Sequence, residues 1–312
     1  MLKKRKLGTT GLEVSEIGFG CWQLGNTKDW RGATGEDAIR LVHKAIEMGC
    51  NFFDTAPNYA GGKSEELLGK ALKGKRDKVI ISSKFGHTPD GQTSFDPSLL
   101  KKSVEESLGR LETDYLDILL LHSPPVEVIK GSQGHYQIME ELKKEGKIRF
   151  YGASVDTGQQ MLDVINNSNS SVIEILFNLF HQEPRRVFPR AGEEGVGLIV
   201  KVPLDSGWLT GKYNADSTFT GIRERWSREV IKRRASLVEM VKDIKDDNTS
   251  MVHEALKYIL AYPQVSTVIP GVRTEEHLIE NFKASERKLS DDRLRKYEDL
   301  YNKYIEGNEL PW

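Results

Sequence analysis

Strand-like and helix-like hydrophobic patterns alternate along almost the whole chain. Short runs rich in Val, Ile and Phe, such as CNFFDT at 50–55 and KVIISSKF at 78–85, are each followed by an amphipathic stretch with apolar residues three or four positions apart. Eight strand–helix units of this kind follow one another between residues 14 and 285. Because eight such units can close on one another, the pattern predicts an α/β protein with the (β/α)8 TIM-barrel fold.

Three segments lie outside the eight units and are expected to be additions to the barrel. An N-terminal stretch with a turn at Thr9 to Leu12 predicts a hairpin, and a long helical insertion is expected around Arg223 to Lys245. An extra C-terminal helix is expected near Asp291 to Ile305. Since no Pro- or Ser-rich linker interrupts the pattern, we expect residues 1–312 to form a single domain.

An open, doubly wound sheet is the alternative that this alternation also permits. Its nucleotide-binding fingerprint is G-x-G-x-x-G between a strand and a helix. Gly18 and Gly20 match the first two glycines, but Gln23 stands at the third position and no helix is predicted to begin there. The closed barrel is therefore the favoured interpretation.

The charge balance excludes several classes of partner. The chain has 45 Lys and Arg against 46 Asp and Glu, and a formal net charge of -1 provides no long-range attraction for nucleic acid or an acidic membrane. The N-terminus shows no signal-peptide pattern, and no stretch is apolar enough to span a bilayer. We expect a small-molecule partner and a cytoplasmic location, while the oligomeric state is not set by the sequence.

Cys21 and Cys50 are too few for a disulfide framework and form no CxxC metal motif, so no metal is expected. This cysteine usage is typical of a reducing compartment. A single disulfide between the two residues remains open at this point.

Polar side chains capable of acid–base chemistry stand at the ends of consecutive predicted strands. In a (β/α)8 barrel the carboxyl ends of all strands face one mouth, so we expect these side chains to meet there. The residues at these positions, or on the loop that directly follows, are Asp54, Tyr59, Lys84, His122, Ser154 and Asn178.

Four of these residues suit proton transfer to or from a carbonyl group. A free phenol titrates at about pH 10, so Tyr59 needs a nearby cation to exchange protons near neutrality. Lys84 can lower the phenol pKa if it stays charged, and Asp54 on the adjacent strand is its natural counter-ion. His122 can donate a hydrogen bond that orients a substrate carbonyl. None of the four supplies a hydride, which a bound cofactor would have to carry.

Each of the four also has an ordinary structural explanation when it is taken singly. Tyr59 can be a packing aromatic, Asp54 a loop cap, Lys84 a partner for Asp54, and His122 a hydrogen-bonded structural histidine. Their coincidence at neighbouring strand ends favours the catalytic interpretation.

The last strand–helix unit carries a candidate phosphate site. Arg273 follows the predicted strand, and Thr274 leads a helix as its N-cap. Barrels often bind phosphate near the last two strands, where helix N–H groups and an arginine can contact the anion. An exposed arginine at a helix start is the structural alternative.

Segments along nearly the whole chain resemble the aldo-keto reductase superfamily. NFFDTAPNYAGGKSEELLGKAL at 51–72 resembles the family's Asp-Thr-Ala-x-x-Tyr segment, IISSKFG at 80–86 its lysine segment and DILLLHSP at 117–124 its histidine segment. The N-terminal LGTTGLEVSEIGFGCWQLG and the C-terminal VIPGVRTEEHLIENF extend the resemblance to both ends. It implies an oxidoreductase in which Tyr59 is the general acid/base, Asp54 and Lys84 tune it, and His122 orients the substrate.

The resemblance also implies a cofactor and a substrate class. NADP(H) is the implied cofactor, with NAD possible, and the substrate is an aldehyde or ketone, or the corresponding alcohol or sugar in the reverse direction. Arg273 is the best candidate for contact with the 2'-phosphate. The positions that match the family's cofactor contacts are Gly20, Trp22, Asp54, Ser154, Asn178, Pro203, Leu204, Gly207, Gly271, Arg273, Thr274, His277, Glu280 and Asn281.

Several positions differ from the family pattern. They affect the expected contacts with the nicotinamide and the expected preference for NADP over NAD. We expect one pair of them, Glu174 and Lys201, to form an ion pair. The departures are Val155 for Asn, Glu174 for Gln, Phe177 and Lys201 for Tyr, and His277 for Arg or Gln.

Two other functions fit the same sequence. A non-catalytic nucleotide-binding regulatory subunit, as among channel-associated relatives of the family, keeps this fold and these residues. A Schiff-base aldolase would use Lys84 as its nucleophile. The aldolase needs a neutral amine, whereas Asp54 is expected to keep Lys84 charged.

Aromatic side chains are expected to surround the mouth, a lining that suits many carbonyl compounds and sugars. Those expected in the wall are Trp22, Trp30, Phe85 and His87, with Trp208 and Trp226 closing the mouth.

Overall fold

An antiparallel hairpin closes the barrel at the amino ends of its strands. The computed structural model describes residues 2–286 and 288–311. Strand β1 (Lys4–Lys6) pairs with β2 (Glu13–Ser15), which confirms the predicted hairpin. Leu7 and Val14 of the hairpin are fully buried and belong to the same apolar cluster as Phe52 from inside the barrel. The hairpin therefore seals the floor of the barrel.

Eight parallel strands form one sheet whose order follows the chain. The sheet closes between its first and last strands, where Gly18 N donates to Val268 O at 2.8 Å and Gly20 N donates to Pro270 O at 3.1 Å. Closure confirms the predicted (β/α)8 fold and excludes the open sheet. The barrel strands are β3 Phe19–Gly20, β4 Phe52–Asp54, β5 Ile80–Phe85, β6 Leu116–His122, β7 Ile148–Val155, β8 Val172–Leu176, β9 Gly197–Lys201 and β10 Val265–Val268.

Helices surround the barrel on its outer face, and several begin at capping side chains. Thr157 forms a capping box with Gln160, and Ser227, Ser250 and Ser290 each accept a hydrogen bond from a first-turn N–H. The helices are α1 Gly35–Glu47, α2 Lys63–Leu72, α3 Leu100–Leu111, α4 Val126–Ile129, α5 His135–Lys144, α6 Gly158–Asn167, α7 Phe188–Glu193, α8 Arg228–Ile244, α9 Met251–Leu260, α10 Glu275–Lys283 and α11 Asp291–Tyr304.

The insertion after β9 folds as a loop and the long helix α8, and a buried ion pair joins the two. Arg234 of α8 donates from Nε to Asp205 Oδ2 at 2.9 Å, and both side chains are fully buried. Trp208 and Trp226 are 0% and 6% exposed and pack against Phe219, with ring centroids 5.5 and 5.0 Å away. The expectation that these tryptophans close the mouth is wrong, because they form the core that supports the loop.

Two further expectations from the sequence can be compared with the described residues. Cys21 and Cys50 are both free and buried, so the disulfide left open by the sequence is absent. Among the helices of residues 2–286 and 288–311, none is long and apolar enough to cross a bilayer.

We predict opposite effects for two helix glycines changed to Ala. A Cβ on Gly69 of α2 would lie 2.6 Å from backbone atoms of Leu111, whereas a Cβ on Gly109 of α3 meets nothing within 4 Å. Gly69→Ala should lower the free energy of unfolding by about 1–3 kcal/mol through overpacking. Gly109→Ala should raise it by about 0.5–1 kcal/mol through helix propensity. Urea denaturation of both variants measures this, and equal effects would contradict the packing of α2 on α3.

Candidate active site

A cavity of about 510 Å3 opens at the carboxyl ends of the barrel strands. This size is typical of a site for a small molecule or cofactor. Asp54, Tyr59 and His122 line its wall. Lys84 lies behind the wall and reaches the other residues from β5, so the four predicted catalytic residues are brought together at one place.

Lys84 is the centre of this group. Only 1% of the residue is exposed, and its Nζ donates to the Asp54 carboxylate and to Thr55 O at 3.1 Å. The same Nζ donates to Tyr59 Oη at 3.5 Å, and Glu174 Oε2 lies 3.4 Å away. The buried ammonium therefore has carboxylates from two strands and a phenol around it.

The loop after β4 positions Tyr59 over the lysine. Asp54 ends the strand, and Tyr59 N donates to Ala56 O at 3.1 Å as the chain turns. Ala60, the next residue, has a φ of +52°, a left-handed conformation that non-glycine residues seldom adopt. A hydrogen bond of 3.0 Å between Thr55 Oγ1 and Ser64 Oγ fixes the loop to α2. The tight turn directs the phenol into the cavity.

Burial controls the protonation of the phenol. Burial raises the pKa of Tyr59 above its usual value, and Lys84 acts in the expected opposite direction but does not outweigh it. Against the effect of burial, the charges of Asp54 and Glu174 raise the pKa of Lys84. At neutral pH the site therefore holds a protonated phenol beside an ammonium. Tyr59 can act as an acid, and Lys84 is a second proton donor behind it.

The two carboxyl groups differ in protonation. Burial, and then the neighbouring Glu174, raises the pKa of Asp54 to about 8. Lys84 and Lys201 together overcome burial and lower the pKa of Glu174 below its usual value. One ammonium between two buried carboxylates leaves an excess negative charge, and a low-dielectric site avoids that charge by retaining a proton.

The expected ion pair between Glu174 and Lys201 is indirect. Ser154 Oγ donates to Glu174 Oε1 at 2.8 Å, and Lys201 Nζ donates to the same Ser154 Oγ at 2.9 Å. Lys201 forms its ion pair with Asp156 instead, at 2.9 Å. The direct pair is thus wrong, because the hydroxyl group of Ser154 lies between the two side chains.

His122 is neutral and stands beside the phenol. Its ring centroid is 6.0 Å from that of Tyr59, and the two rings meet edge to face. Burial, followed by the charges of Lys84 and Lys201, lowers the pKa of His122 well below its usual value. Its Nδ1 has no hydrogen-bond partner among the described residues. A neutral imidazole in this position can donate one hydrogen bond to a ligand.

Trp22 and Trp30 lie in the cavity wall, as expected from the sequence. Trp22 packs 6.2 Å from the Tyr59 ring and 5.4 Å from Trp30, measured between ring centroids. Arg223 from the insertion covers Trp30, with its Cζ 4.7 Å from the ring centroid. These residues form the outer rim of the cavity next to the catalytic group.

Phe85 does not belong to this wall. It is 3% exposed and packs edge to face on Phe95, so the expectation that it lines the mouth is wrong. Because Phe85 alternates with Lys84 along β5, its side chain points away from the barrel interior. His87 is not among the lining residues and packs instead on His122, with ring centroids 4.7 Å apart.

The predicted cofactor positions divide into two groups. Most of them line one continuous stretch of the cavity that runs from the catalytic group to the start of α10. Those in the wall are Gly20, Trp22, Asp54, Pro203, Leu204, Gly207, Gly271, Arg273, His277, Glu280 and Asn281.

Ser154, Asn178 and Thr274 lie outside the wall, and each is occupied by protein partners. Asn178 Nδ2 donates to Val202 O at 2.9 Å, and Thr274 Oγ1 accepts from His277 N as the N-cap of α10. Ser154 is fully buried between Glu174 and Lys201. Contact of these three residues with a cofactor stays a prediction. Glu174 and Lys201, which are the side-chain partners of Ser154, line the cavity wall.

The structure adds two basic residues that the sequence did not single out. Lys212 lines the cavity near Arg273 and His277. Burial, followed by the charges of Arg273 and Lys212, lowers the pKa of His277. Arg223 enters the wall from the insertion. Neither residue follows a strand end directly, so the alternation pattern carried no signal for them.

Comparison with known proteins establishes the family. Residues 16–302 match the model of the aldo/keto reductase family. The chain is 33% identical over 304 residues to the uncharacterized oxidoreductase YqkF of Bacillus subtilis, covering 94% of this chain and 95% of that one. It is 30% identical over 307 residues to a probable voltage-gated potassium channel subunit beta of Oryza sativa, with 91% of each chain covered.

A solved structure agrees with this assignment. The holo form of the aldo-keto reductase AKR11C1 from Bacillus halodurans superposes with a TM-score of 0.82 at 29% identity, covering 96% of each chain. The protein belongs to the aldo/keto reductase family. The general activity of this family is oxidoreduction with a nicotinamide cofactor on small carbonyl compounds.

We predict that His122 stays neutral in the range where an ordinary histidine titrates. Because its pKa lies well below the usual value, its NMR resonances should not shift between about pH 6 and 7, where an ordinary histidine titrates. A His122→Asn variant assigns the signals. A midpoint between pH 6 and 7 for His122 would contradict the described environment of the ring.

Proposed function

We propose that this single-domain barrel is an NADPH-preferring reductase of aldehydes and ketones, which oxidises the corresponding alcohols or sugars in the reverse direction. Tyr59 is the general acid/base, Lys84 and Asp54 are its supporting pair, and His122 orients the carbonyl. The observation that carries the proposal is the contact of 3.5 Å between Lys84 Nζ and Tyr59 Oη in a cavity wall beside a neutral histidine.

The residues of the cavity fit a nicotinamide dinucleotide. Gln23 Oε1 and Asn58 Oδ1 are buried in the wall and lack hydrogen-bond partners among the described residues, which leaves them available to a ligand. At the far end, Arg273, His277 and Lys212 converge beside the N-terminus of α10. Helix N–H groups and cations together favour a phosphate group there. This end supports a preference for the extra 2'-phosphate of NADPH.

The cofactor, when bound, supplies the hydride that reaches the carbonyl carbon. The residues of the chain manage the proton. Tyr59 donates its phenolic proton to the carbonyl oxygen while His122 donates a hydrogen bond to the same oxygen. Lys84 stabilises the phenolate that forms, because its ammonium is held charged by Asp54 and Glu174.

The same geometry disfavours the other functions. A Schiff-base aldolase needs a neutral Lys84, yet the two carboxylates raise the lysine pKa further above its usual value. A regulatory subunit without catalysis remains the second candidate because a channel subunit beta is among the relatives. Both roles are compatible with the intact group of Tyr59, Lys84, Asp54 and His122, and turnover distinguishes them.

We predict that Tyr59→Phe lowers kcat for reduction of an activated aromatic aldehyde by about 10²–10⁴-fold, because the proton donor is lost while the ring is retained. The control is Tyr304→Phe, which changes a phenol that is 43% exposed on α11. NADPH binding, followed by protein fluorescence, should be unchanged in both variants. Equal rates in Tyr59→Phe and the control would refute the assignment of Tyr59. A wild type that binds NADPH but reduces no member of an aldehyde, ketone and alcohol panel would favour the regulatory subunit.

We predict that Arg273→Met and Lys212→Met each weaken NADPH binding by about 10–100-fold, the value of a charge-assisted contact with phosphate. NADH lacks the 2'-phosphate, so its dissociation constant should change by less than about threefold. Isothermal titration with both cofactors measures the difference. A parallel loss for NADPH and NADH would show that these cations do not read the 2'-phosphate.

A further inference from the structure

Beside Lys84 lies a second carboxylate, Glu174, whose only part in the proposed mechanism is to help keep the lysine charged. Glu174 is 2% exposed, and its Oε2 lies 3.4 Å from Lys84 Nζ, which also donates to the Asp54 carboxylate. Asp54 alone would balance the charge of Lys84. A second buried carboxylate therefore adds a negative charge that needs compensation.

Both carboxyl groups face the same ammonium. Lys84 Nζ contacts the Asp54 carboxylate and lies 3.4 Å from Glu174 Oε2, and none of the three side chains is more than 2% exposed. Asp54 Oδ2 and Glu174 Oε2 have no hydrogen-bond partner among the described residues. One ammonium cannot neutralise two buried carboxylates, so a proton held on one of the two carboxyl groups removes the excess charge.

Glu174 also begins a polar path toward the solvent. Ser154 Oγ donates to Glu174 Oε1 at 2.8 Å, and Lys201 Nζ donates to Ser154 Oγ at 2.9 Å. Lys201 pairs with Asp156, whose side chain is 39% exposed. The path runs from Glu174 to the rim of the cavity through Ser154, Lys201 and Asp156.

We propose that Glu174 and Asp54 hold one proton between them beside Lys84, and that this proton restores Tyr59 to the phenol after it has protonated the substrate. Glu174 is thus a positioning residue of the reaction, acting on Tyr59 through Lys84. The return of the proton to Tyr59 rests on the proposed reductase function. The holding of a proton by the two carboxyl groups does not depend on that function.

Each transfer moves one proton and no electrons. The phenolic proton of Tyr59 goes to the carbonyl oxygen as the hydride reaches the carbon, and the Lys84 ammonium reprotonates the phenolate. The carboxylic acid then gives its proton to the Lys84 amine. The carboxylate pair is reprotonated through the Ser154 hydroxyl and the Lys201 ammonium, which recovers a proton from water.

Charged and titratable groups surround this pair on several elements. Their combined effect keeps one proton on the pair near neutrality, with the pKa of Asp54 raised to about 8 by burial and by Glu174. The groups facing the pair are Cys21 after β3, Tyr59 after β4, Lys84 on β5, His122 on β6 and Lys201 on β9.

Infrared difference spectroscopy of the protein without cofactor tests the shared proton directly. The wild type should show a carboxylic-acid carbonyl band at pH 6.5 that disappears with a midpoint near 8. Glu174→Gln and Asp54→Asn should each lose this band, because either single carboxylate next to Lys84 ionises fully. Glu140→Gln is the matched control, a half-buried carboxyl that accepts a hydrogen bond from Tyr151 outside the site. A band that survives in Glu174→Gln would overturn the sharing.

The pH dependence of repeated turnover at saturating NADPH tests what the proton does, because only a second turnover needs Tyr59 to be reprotonated. In the wild type the rate should fall by about tenfold per pH unit above about pH 8, as the reserve proton is lost. Glu174→Gln should lack this fall, and adding Tyr59→Phe to it should still lower turnover by about 10²–10⁴-fold. Ser154→Ala should keep the infrared band and slow repeated turnover more than single turnover at saturating NADPH, which separates loss of the proton route from loss of a cofactor contact.

The infrared band and the turnover measurements test the shared proton and the proposed reductase function separately. An unchanged pH profile in Glu174→Gln, or unchanged repeated turnover in Ser154→Ala, would overturn the reserve and its route. A wild type with the expected infrared band but without any turnover would instead reject the reductase function and leave the shared proton in place.

Discussion

The whole site depends on keeping the ammonium of Lys84 charged inside the barrel. The ammonium is almost fully buried, and isolation there would favour the neutral amine. Asp54 and Glu174, on strands to either side of the barrel interior, reverse that preference and raise the pKa of the lysine. Removing one partner from such a buried pair commonly costs about 3–5 kcal/mol, so the cluster restrains the structure as well as the chemistry.

The barrel explains why these groups meet. Asp54 pairs in register with Ser82 on β5, which places Lys84 one inward-facing position further along the same strand. Ser154 on β7 pairs with Glu174 on β8, and the side chains of these two neighbours are hydrogen-bonded. Parallel strands in one register therefore carry the polar layer at the top of an otherwise apolar interior.

The fold and the meeting of Asp54, Tyr59, Lys84 and His122 at one place could be predicted from the sequence because both follow local rules. The alternation of patterns gives eight units, and a polar residue at a strand end must face the mouth. Contacts that depend on side-chain depth could not be predicted. Trp208 and Phe85 were expected to line the mouth, but both are buried. Lys212 lines the cavity from a loop that has no periodic pattern. The position of Ser154 between Glu174 and Lys201 depends on the three-dimensional packing of their side chains. The net pKa of Tyr59 likewise depends on how far burial outweighs Lys84.

In the mechanism that we propose, hydride transfer from the cofactor is coupled to proton transfer through Tyr59, supported by Lys84. The most direct test is a single turnover with NADPH deuterated at the transferable position of C4, in the wild type and in Lys84→Met. We expect deuterium on the carbinol carbon of the wild-type product, and transfer slower by about a hundredfold or more in Lys84→Met, with the cofactor still bound. A wild-type product without deuterium, or an unchanged rate in Lys84→Met, would contradict it.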